Sequence, residues 1–245
     1  MDTLWLQLVQ WLHSVGLHLD AGVAREVAAG AAQATQKLDM PALLALAAAL
    51  GWASGFRLYA VVFLVGSMGA LDWLALPAGL HVLQHPAVLV VSGCMLLVEF
   101  FADKVPWLDS AWDAIHAFIR IPAGALLAAG VFGADNATMG VVAGLLGGSL
   151  AATSLATKMT TRAAVNTSPE PLSNWLLSFF EDGLVVAVVW LATQHPVAFG
   201  FALVVMVVLS IALLVVLFKF LRAVLRRVSS LFGGSAQPAV EKSDV

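Results

Sequence analysis

The sequence is poor in charged residues, and this sets its broad class. Asp, Glu, Lys and Arg make up 11% of the 245 residues, whereas hydrophobic residues make up 61%. Water-soluble domains carry about 25% charged residues, so a water-soluble globular domain is excluded. The formal net charge of −3 argues against a nucleic-acid-binding protein, because such proteins neutralise phosphates with a broad basic surface.

Cysteine and metal-ligand patterns are also scarce. Cys94 is the only cysteine, so the chain cannot form an intramolecular disulfide or a cysteine-based zinc site. The six histidines show no HExxH motif or comparable ligand spacing. We therefore expect neither a metal site nor another cofactor.

Long apolar runs are what the sequence has in abundance. From residue 40 onward, six segments, taken with their flanking residues and allowing for tilt, are long enough to cross a hydrocarbon core of about 30 Å as helices that rise about 1.5 Å per residue. They are residues 41–65, 86–101, 111–132, 136–157, 172–191 and 197–218. The pattern predicts an all-α fold, a polytopic membrane helix bundle of about six transmembrane helices. The first span is the weakest of the six, and a helix break beside Arg57 would interrupt it.

The two ends of the chain differ from this transmembrane domain, residues 40–221. In residues 1–39 apolar side chains recur on one helical face, namely Leu4, Trp5, Leu8, Trp11, Leu12 and Val15. This predicts an N-terminal amphipathic helical segment at the membrane interface, with a helix docked on a partner subunit as the alternative. Residues 222–245 are predicted to form a cytoplasmic tail that is basic first and disordered after Arg227.

Lysine and arginine are unevenly distributed over the connections between spans. With six spans, the connections 66–85, 133–138 and 192–196 contain neither residue, whereas the other connections and the C-terminal tail contain several. Positive residues favour the cytoplasmic side of a membrane. The distribution predicts a multi-pass membrane protein with both termini in the cytoplasm.

A weak internal repeat is also visible. Residues 97–103 and 177–182 each place two aromatic residues beside two acids, and a glycine-rich span with a basic residue precedes each stretch. Because three spans is an odd number, such repeats would be inverted in the membrane, as in many secondary transporters. Two inverted three-helix repeats are therefore one hypothesis, and chance similarity between apolar sequences is the other.

Ionisable residues inside the spans need an explanation, because each costs on the order of 2.5–3.5 kcal/mol to insert into a bilayer. Several are three or four residues apart and therefore share a helix face. The candidate ion or substrate site comprises Arg57, Glu99, Asp103, Lys104, Asp109, Asp113, His116, Arg120, Lys158, Arg162, Asn166, Asn174, Glu181 and Asp182.

We interpret these residues as the charged site, open to the cytoplasm, of a small transporter or channel-like protein. Glu99 and Glu181 are the candidates for proton exchange, and Arg57 is the candidate contact for an anion. The expected partners are the lipid bilayer and a small ion or anionic substrate. The sequence leaves the formation of a homo-oligomer open.

Two other functions fit the same residues. In a structural or assembly protein, the buried charges would only fix the helix register. In a lipid-handling protein, either an anionic-lipid translocase or an intramembrane enzyme, Arg57, Lys158 and Arg162 would hold a phosphate headgroup. Ser154 and Lys158 have the spacing of a Ser–Lys nucleophile pair, but no oxyanion hole is identifiable, so a transport protein is favoured over an enzyme.

Three stretches of the chain form a recognisable combination. They are residues 51–57 (GWASGFR), residues 99–106 (EFFADKVP) followed by Asp109, Asp113 and Arg120, and residues 158–171 followed by Asn174, Glu181 and Asp182. Together they resemble the bacterial membrane family catalogued as domain of unknown function 4126. The resemblance covers residues 43–191 and implies an integral membrane fold, but it supplies no activity.

The resemblance also draws attention to residues 166–171. This segment contains two prolines, which end helices, and hydroxyl and amide groups that can satisfy exposed backbone. It forms either a cytoplasmic turn or a plug folded back toward the site. Asn174 continues its polarity into the next span, which favours the plug.

Overall fold

The first helix begins at a capped start. Asp39 is its N-cap, and the Asp39 side chain accepts a hydrogen bond from the Ala42 N–H at 3.1 Å. Pro41 lies in the first turn, where the missing proline N–H has no helical partner to lose. Helix α1 runs from this start over Met40–Ala70.

The computed structural model describes residues 38–105, 108–133, 136–167 and 171–232. A 3-10 helix, Ala78–Gln84, and five further helices follow α1, and these are α2 Pro86–Ala102, α3 Leu108–Phe132, α4 Ala137–Val165, α5 Pro171–Gln194 and α6 Pro196–Phe232. No strand occurs within the described ranges, and the predicted all-α fold is confirmed.

The predicted ends of the chain are only partly described. The amphipathic segment of residues 1–39 lies outside the described residues, apart from Leu38 and Asp39. Helix α6 continues to Phe232, past the predicted domain boundary at residue 221 and past Arg227. Leucine, alanine and arginine, which favour helices, recur after residue 220 and extend it. Residues 233–245 lie outside the described residues.

Most helices are long and apolar enough to cross a membrane. Five of them, α1 and α3 to α6, meet this condition individually. The 3-10 helix and α2 form a sixth candidate, a pair bent by 67°. The chain is therefore a multi-pass membrane protein, as the sequence predicted, and its described ranges contain five candidate spans, or six if the bent pair forms one span.

Helix α1 is not continuous. Arg57, with φ −146° and ψ 79°, lies outside the helical region between two helical segments. A break within a membrane frees backbone N–H and C=O groups that lipid cannot satisfy, so it requires polar neighbours. The sequence raised a helix break beside Arg57 as one possibility for this span, and the break is present.

Helices α1, α3 and α4 pack so closely that their backbones approach one another. A Cβ atom added to Gly51 would lie 2.5 Å from the Gly147 Cα, and one added to Gly124 would lie 2.8 Å from the Ala151 Cβ. Small residues permit this close approach between membrane helices. The Ser154 hydroxyl also donates to the carbonyl of Trp52 at 2.7 Å. These contacts define a three-helix core of α1, α3 and α4.

The other helices attach to this core less evenly. Helices α2 and α5 both pack mainly on α1. Helix α2 makes few contacts with α3, and α5 makes few contacts with α4, although α3 and α4 are their neighbours in the sequence. Helix α6 lies against α4, α5 and α1.

The distribution of side chains is that of a membrane protein. Large apolar side chains face outward, and Phe118, Phe201 and Leu126 are 85%, 74% and 72% exposed. Charged side chains such as Arg57 and Arg120 are fully buried. An apolar outside with ionisable groups inside suits a lipid environment.

The contact between Gly51 and Gly147 can be tested by one methyl group. We expect Gly51→Ala to lower the free energy of unfolding by about 1–3 kcal/mol, because an added methyl group overpacks a tight core. Thermal unfolding of the purified protein in detergent measures the change. Gly183→Ala is the matched control, because a Cβ atom at Gly183 meets nothing within 4 Å. Equal loss of stability in the two variants would contradict this account of the core.

Candidate functional site

Ten charged side chains from α1 to α5, and from the turn after α2, meet inside the bundle. We call this set the charge cluster, and it consists of Arg57, Glu99, Asp103, Asp109, Asp113, Arg120, Lys158, Arg162, Glu181 and Asp182. Nine of these side chains are at most 2% exposed. Asp182 is the exception, with 28% of its side chain exposed. The cluster is closed, and Asp182 is its one member that reaches the surface.

Helical spacing brings the members of each helix to one side. On α3, Asp109, Asp113 and Arg120 share the stripe that the sequence predicted, and all three are buried. On α4, Lys158 and Arg162 are one turn apart and are both buried. Residues at these spacings lie on one helix face, so each helix directs its charges to the same interior region.

Arg57 is held at the break in α1 by groups from two other parts of the chain. Its Nη1 lies 2.8 Å from Asp103 Oδ2, and its Nε lies 3.1 Å from Asp182 Oδ1. Its Nη2 donates to the Ser178 hydroxyl at 2.8 Å. The guanidinium that the sequence favoured as an anion contact is therefore occupied by carboxylates of the protein.

Arg120 joins two acids across α2 and α3. Its Nη1 donates to Asp113 Oδ1 at 2.7 Å, and its Nη2 donates to Glu99 Oε1. All three side chains are fully buried. Hydrogen bonds between charged partners of this kind are stronger than those between neutral groups, so Arg120 anchors α2 to α3.

Arg162 contacts carboxylates and also the backbone of the turn after α2. Its Nε and Nη2 donate to the two carboxylate oxygens of Glu181 at 3.2 and 2.8 Å. Its Nη1 donates to the backbone carbonyl of Asp103 at 2.8 Å and lies 3.6 Å from Asp109 Oδ2. The planar guanidinium favours this paired geometry with a carboxylate. Arg162 thus links α4 to α5 and to the end of α2.

Lys158 lies at the centre of the cluster. Four carboxylate oxygens and one backbone carbonyl oxygen surround its Nζ. They are Asp113 Oδ1 at 3.1 Å, the Phe56 carbonyl at 3.2 Å, Asp103 Oδ2 at 3.5 Å, Glu181 Oε2 at 3.8 Å and Glu99 Oε1 at 4.0 Å. The Phe56 carbonyl precedes Arg57, so the lysine also satisfies backbone at the helix break.

The charges in the cluster do not balance. It contains six carboxylates and four cationic groups, which gives a formal charge of 4 − 6 = −2. Three buried carboxylate oxygens have no hydrogen-bond partner in the described part of the chain. These are Glu99 Oε2, Asp103 Oδ1 and Asp113 Oδ2. Three cationic donors, Arg57 Nε, Arg57 Nη1 and Arg120 Nε, also have no hydrogen-bond partner there, so donors and acceptors in the cluster are not fully matched.

Two predicted site residues lie apart from the cluster. The Lys104 ammonium donates to the Phe100 carbonyl at 3.0 Å and lies over the Phe100 ring, and burial lowers the pKa of Lys104. The His116 ring stacks on Trp112 with centroids 4.0 Å apart, and its Nδ1 lies 2.8 Å from the Trp112 carbonyl. His116 shares the α3 stripe but makes none of the ion pairs described here.

Asn166 and Asn174 extend the cluster along the ends of α4 and α5. Asn166 Nδ2 donates to the Asp109 carboxylate at 3.3 Å and to the Ser110 hydroxyl at 3.2 Å. Asn174 Nδ2 donates to Asn166 Oδ1 at 2.9 Å. Residues 168–170 lie outside the described residues, so the predicted plug stays a prediction.

Two contacts of the cluster were absent from the predicted site. Ser178 lies one turn before Asp182, a spacing that could have identified it. The Phe56 carbonyl has no side-chain signature, and only the glycine-rich stretch before Arg57 pointed to exposed backbone there.

Other features bear on what the site can hold. A groove of about 400 Å³ between α3 and α4 is lined by small apolar residues such as Ala129, Gly140 and Gly144 and has no charged side chain. Within the described ranges, no group of three or more His, Cys, Asp or Glu residues has a spacing that would hold a metal ion. The oxygens of the cluster face ammonium and guanidinium groups instead.

The coupling within the cluster can be tested by replacing one charged side chain or an oppositely charged pair. We expect Arg120→Met to lower the free energy of unfolding by about 3–5 kcal/mol, because it leaves buried carboxylates without their cation. The double variant Arg120→Met/Glu99→Leu retains the formal cluster charge of −2 and should regain part of this loss. Thermal unfolding in detergent measures both. Additive losses would show that Arg120 and Glu99 are not coupled.

A comparison with known protein families identifies the family of this chain. The family model described as Domain of unknown function (DUF4126) matches residues 44–216, and thus extends into α6, beyond the stretches that carry the resemblance. No curated protein and no solved structure matches the chain. Because the family model spans well over half of its length, this chain belongs to the DUF4126 family of domains of unknown function.

Proposed function

We propose that this chain is a small membrane transporter that carries ions through the charge cluster, with protons or other small cations as the ions. The observation that carries the proposal is a closed cluster with six carboxylates and four cationic groups inside helices long enough to cross a membrane. The apolar outside of the bundle supports a bilayer as its surroundings.

The charge imbalance supports cations as the transported ions. Charges interact strongly in a low-dielectric interior, so a formal excess of two negative charges favours the uptake of positive charge. A proton on a carboxylate or a bound cation would reduce the repulsion. Uptake and release would therefore change the forces that hold the helices of the cluster together.

The break in α1 also supports a transport role. Discontinuous membrane helices form the ion and substrate sites of many secondary transporters, where unwound backbone contributes ligands. Here the break places the Phe56 carbonyl 3.2 Å from the Lys158 ammonium and places Arg57 against Asp182. The partly exposed Asp182 is the natural point of entry to the closed cluster.

The same contacts weigh against an anionic substrate and against a lipid headgroup, because both would need cationic groups that are not already paired. Arg57 and Arg162 each face two or more carboxylates, so neither offers an unpaired guanidinium to an anionic substrate. Lys158 and Arg162 are at most 1% exposed, which does not suit a lipid headgroup site. A purely structural role for the ion pairs remains the competing account, and the transport experiment separates it.

Proteoliposomes with an internal pH-sensitive dye test the proposal. With a potassium diffusion potential, negative inside, wild-type protein should admit protons. Asp182→Asn should reduce the initial rate at least tenfold, because the entry carboxylate loses its charge. Asp72→Asn is the matched control, since Asp72 is an exposed loop residue outside the cluster. Uptake of radioactive sodium or rubidium into the same proteoliposomes covers the other cations.

Two outcomes would contradict the proposed function. If Asp182→Asn and Glu181→Gln inserted normally and kept full flux, the charge cluster would not be the ion path. If wild-type protein moved neither protons nor alkali cations, the ion pairs would serve helix packing alone.

We also propose that the protein lies in the bacterial inner membrane with both termini in the cytoplasm. The absence of Lys and Arg from connections 66–85, 133–138 and 192–196 supports this orientation. The bent pair of the 3-10 helix and α2 would then form one span, giving an even number. The two inverted repeats stay a prediction.

Reporter fusions test this orientation and the span count together. A fluorescent protein that matures only in the cytoplasm, fused at either terminus, should fluoresce in both cases. Alkaline phosphatase, which is active only outside the cytoplasm, should be inactive at both positions. Opposite results at the two termini would establish an odd number of spans and would overturn the six-span topology.

A further inference from the structure

The surroundings of Lys158 resemble a cation site more than a simple ion pair. Five oxygens from four acids and one carbonyl lie within 4.0 Å of a single ammonium nitrogen. An ammonium group has three N–H donors, fewer than the five oxygens around it, and three of those oxygens also accept hydrogen bonds from Arg120 or Arg162. The oxygens of Glu181 and Glu99, at 3.8 and 4.0 Å, lie beyond hydrogen-bond distance.

The acids around Lys158 also have unused oxygens. Glu99, Asp103 and Asp113 each direct one oxygen toward the ammonium, and the second oxygen of each is buried without a hydrogen-bond partner in the described part of the chain. These three side chains are fully buried. Buried acceptors without donors are destabilising, and hard cations prefer carboxylate and carbonyl oxygens as ligands.

Lysine is suited to act as a replaceable cation. Its ammonium is a compact charge on a flexible four-carbon stem, unlike the guanidinium of Arg162, which is fixed by two hydrogen bonds to Glu181. A monovalent cation that replaced the ammonium would preserve the local charge. Withdrawal of the lysine would leave these oxygens free to contact such an ion.

We propose that the cage formed by Glu99, Asp103, Asp113, Glu181 and the Phe56 carbonyl binds an alkali cation in exchange with the Lys158 ammonium. This inference rests on the proposed ion-carrying function of the cluster and names the class of ion. The lysine occupies the site in the closed arrangement and acts as a tethered competitor of the free cation.

Direct binding of radioactive sodium and rubidium, the latter in place of potassium, tests the site on purified wild-type protein in detergent. At least one ion should bind saturably, and an excess of the same unlabelled alkali ion should displace it, whereas N-methylglucamine should not. Asp113→Asn removes a cage charge with little change in shape and should reduce bound ion at least tenfold. Asp72→Asn is the matched control and should bind as wild type does.

Removal of the lysine tests the exchange itself. Lys158→Met should unfold at a lower temperature in N-methylglucamine chloride, and sodium or potassium chloride of equal ionic strength should raise its Tm by about 5 °C at saturation. The wild-type protein should show a smaller shift because its own ammonium competes. Lys104→Met, which removes a lysine outside the cluster, should match wild type. In Lys158→Met/Glu99→Gln/Asp113→Asn the alkali rescue should disappear.

The results separate this inference from the proposed function. Proton flux without saturable alkali binding would overturn the cage and leave the transporter intact. Saturable binding without flux of any ion would leave the cage and overturn the transporter. If Lys158→Met does not fold, the binding experiment decides alone. Saturable binding that is as strong in Asp113→Asn as in wild type would then overturn the cage.

Discussion

The structure depends on the pairing of opposite charges in the interior of the bundle. Ten charged side chains meet within a bundle whose outer surface is apolar, and a buried charge without its partner is strongly destabilising. Each of α1 to α5 supplies at least one member, and Arg57, Arg120 and Arg162 each join acids from different helices. The position of every helix in this region therefore depends on the charges of its neighbours. The three stretches that resemble the DUF4126 family supply all ten members, so the cluster and the family resemblance reside in the same residues.

Much of this arrangement could be predicted from the sequence because it follows from periodicity. Apolar runs predicted the helices, and the spacing of Asp109, Asp113 and Arg120 predicted a buried stripe. The glycines before Arg57 indicated the break. Lys104 and His116 were assigned to the site from their spacing along the chain, but their side chains contact aromatic residues instead. Lys104 follows Asp103 directly and lies over the Phe100 ring, while the imidazole of His116 stacks on Trp112.

Pairing between helices could not be predicted in this way. The central place of Lys158 depends on how α4 lies against α1, α2, α3 and α5 at once, which no local pattern specifies. The contribution of the Phe56 carbonyl depends on backbone geometry rather than on a side chain. The formal charge of −2 was implicit in the sequence, but it acquired a meaning only when the structure showed which acids and bases lie together.

The backbone contact between Gly51 and Gly147 has a mechanical consequence for the whole bundle. It makes α1, α3 and α4 a closely packed block, whereas α2 and α5 pack mainly on α1 and make few contacts with α3 and α4, respectively. The ion pairs of Glu99, Asp103 and Glu181 lie along the seam between this block and the two outer helices. Protonation or cation binding at the seam would therefore weaken the ion pairs that hold α2 and α5, and it would leave the packing of α1, α3 and α4 unchanged.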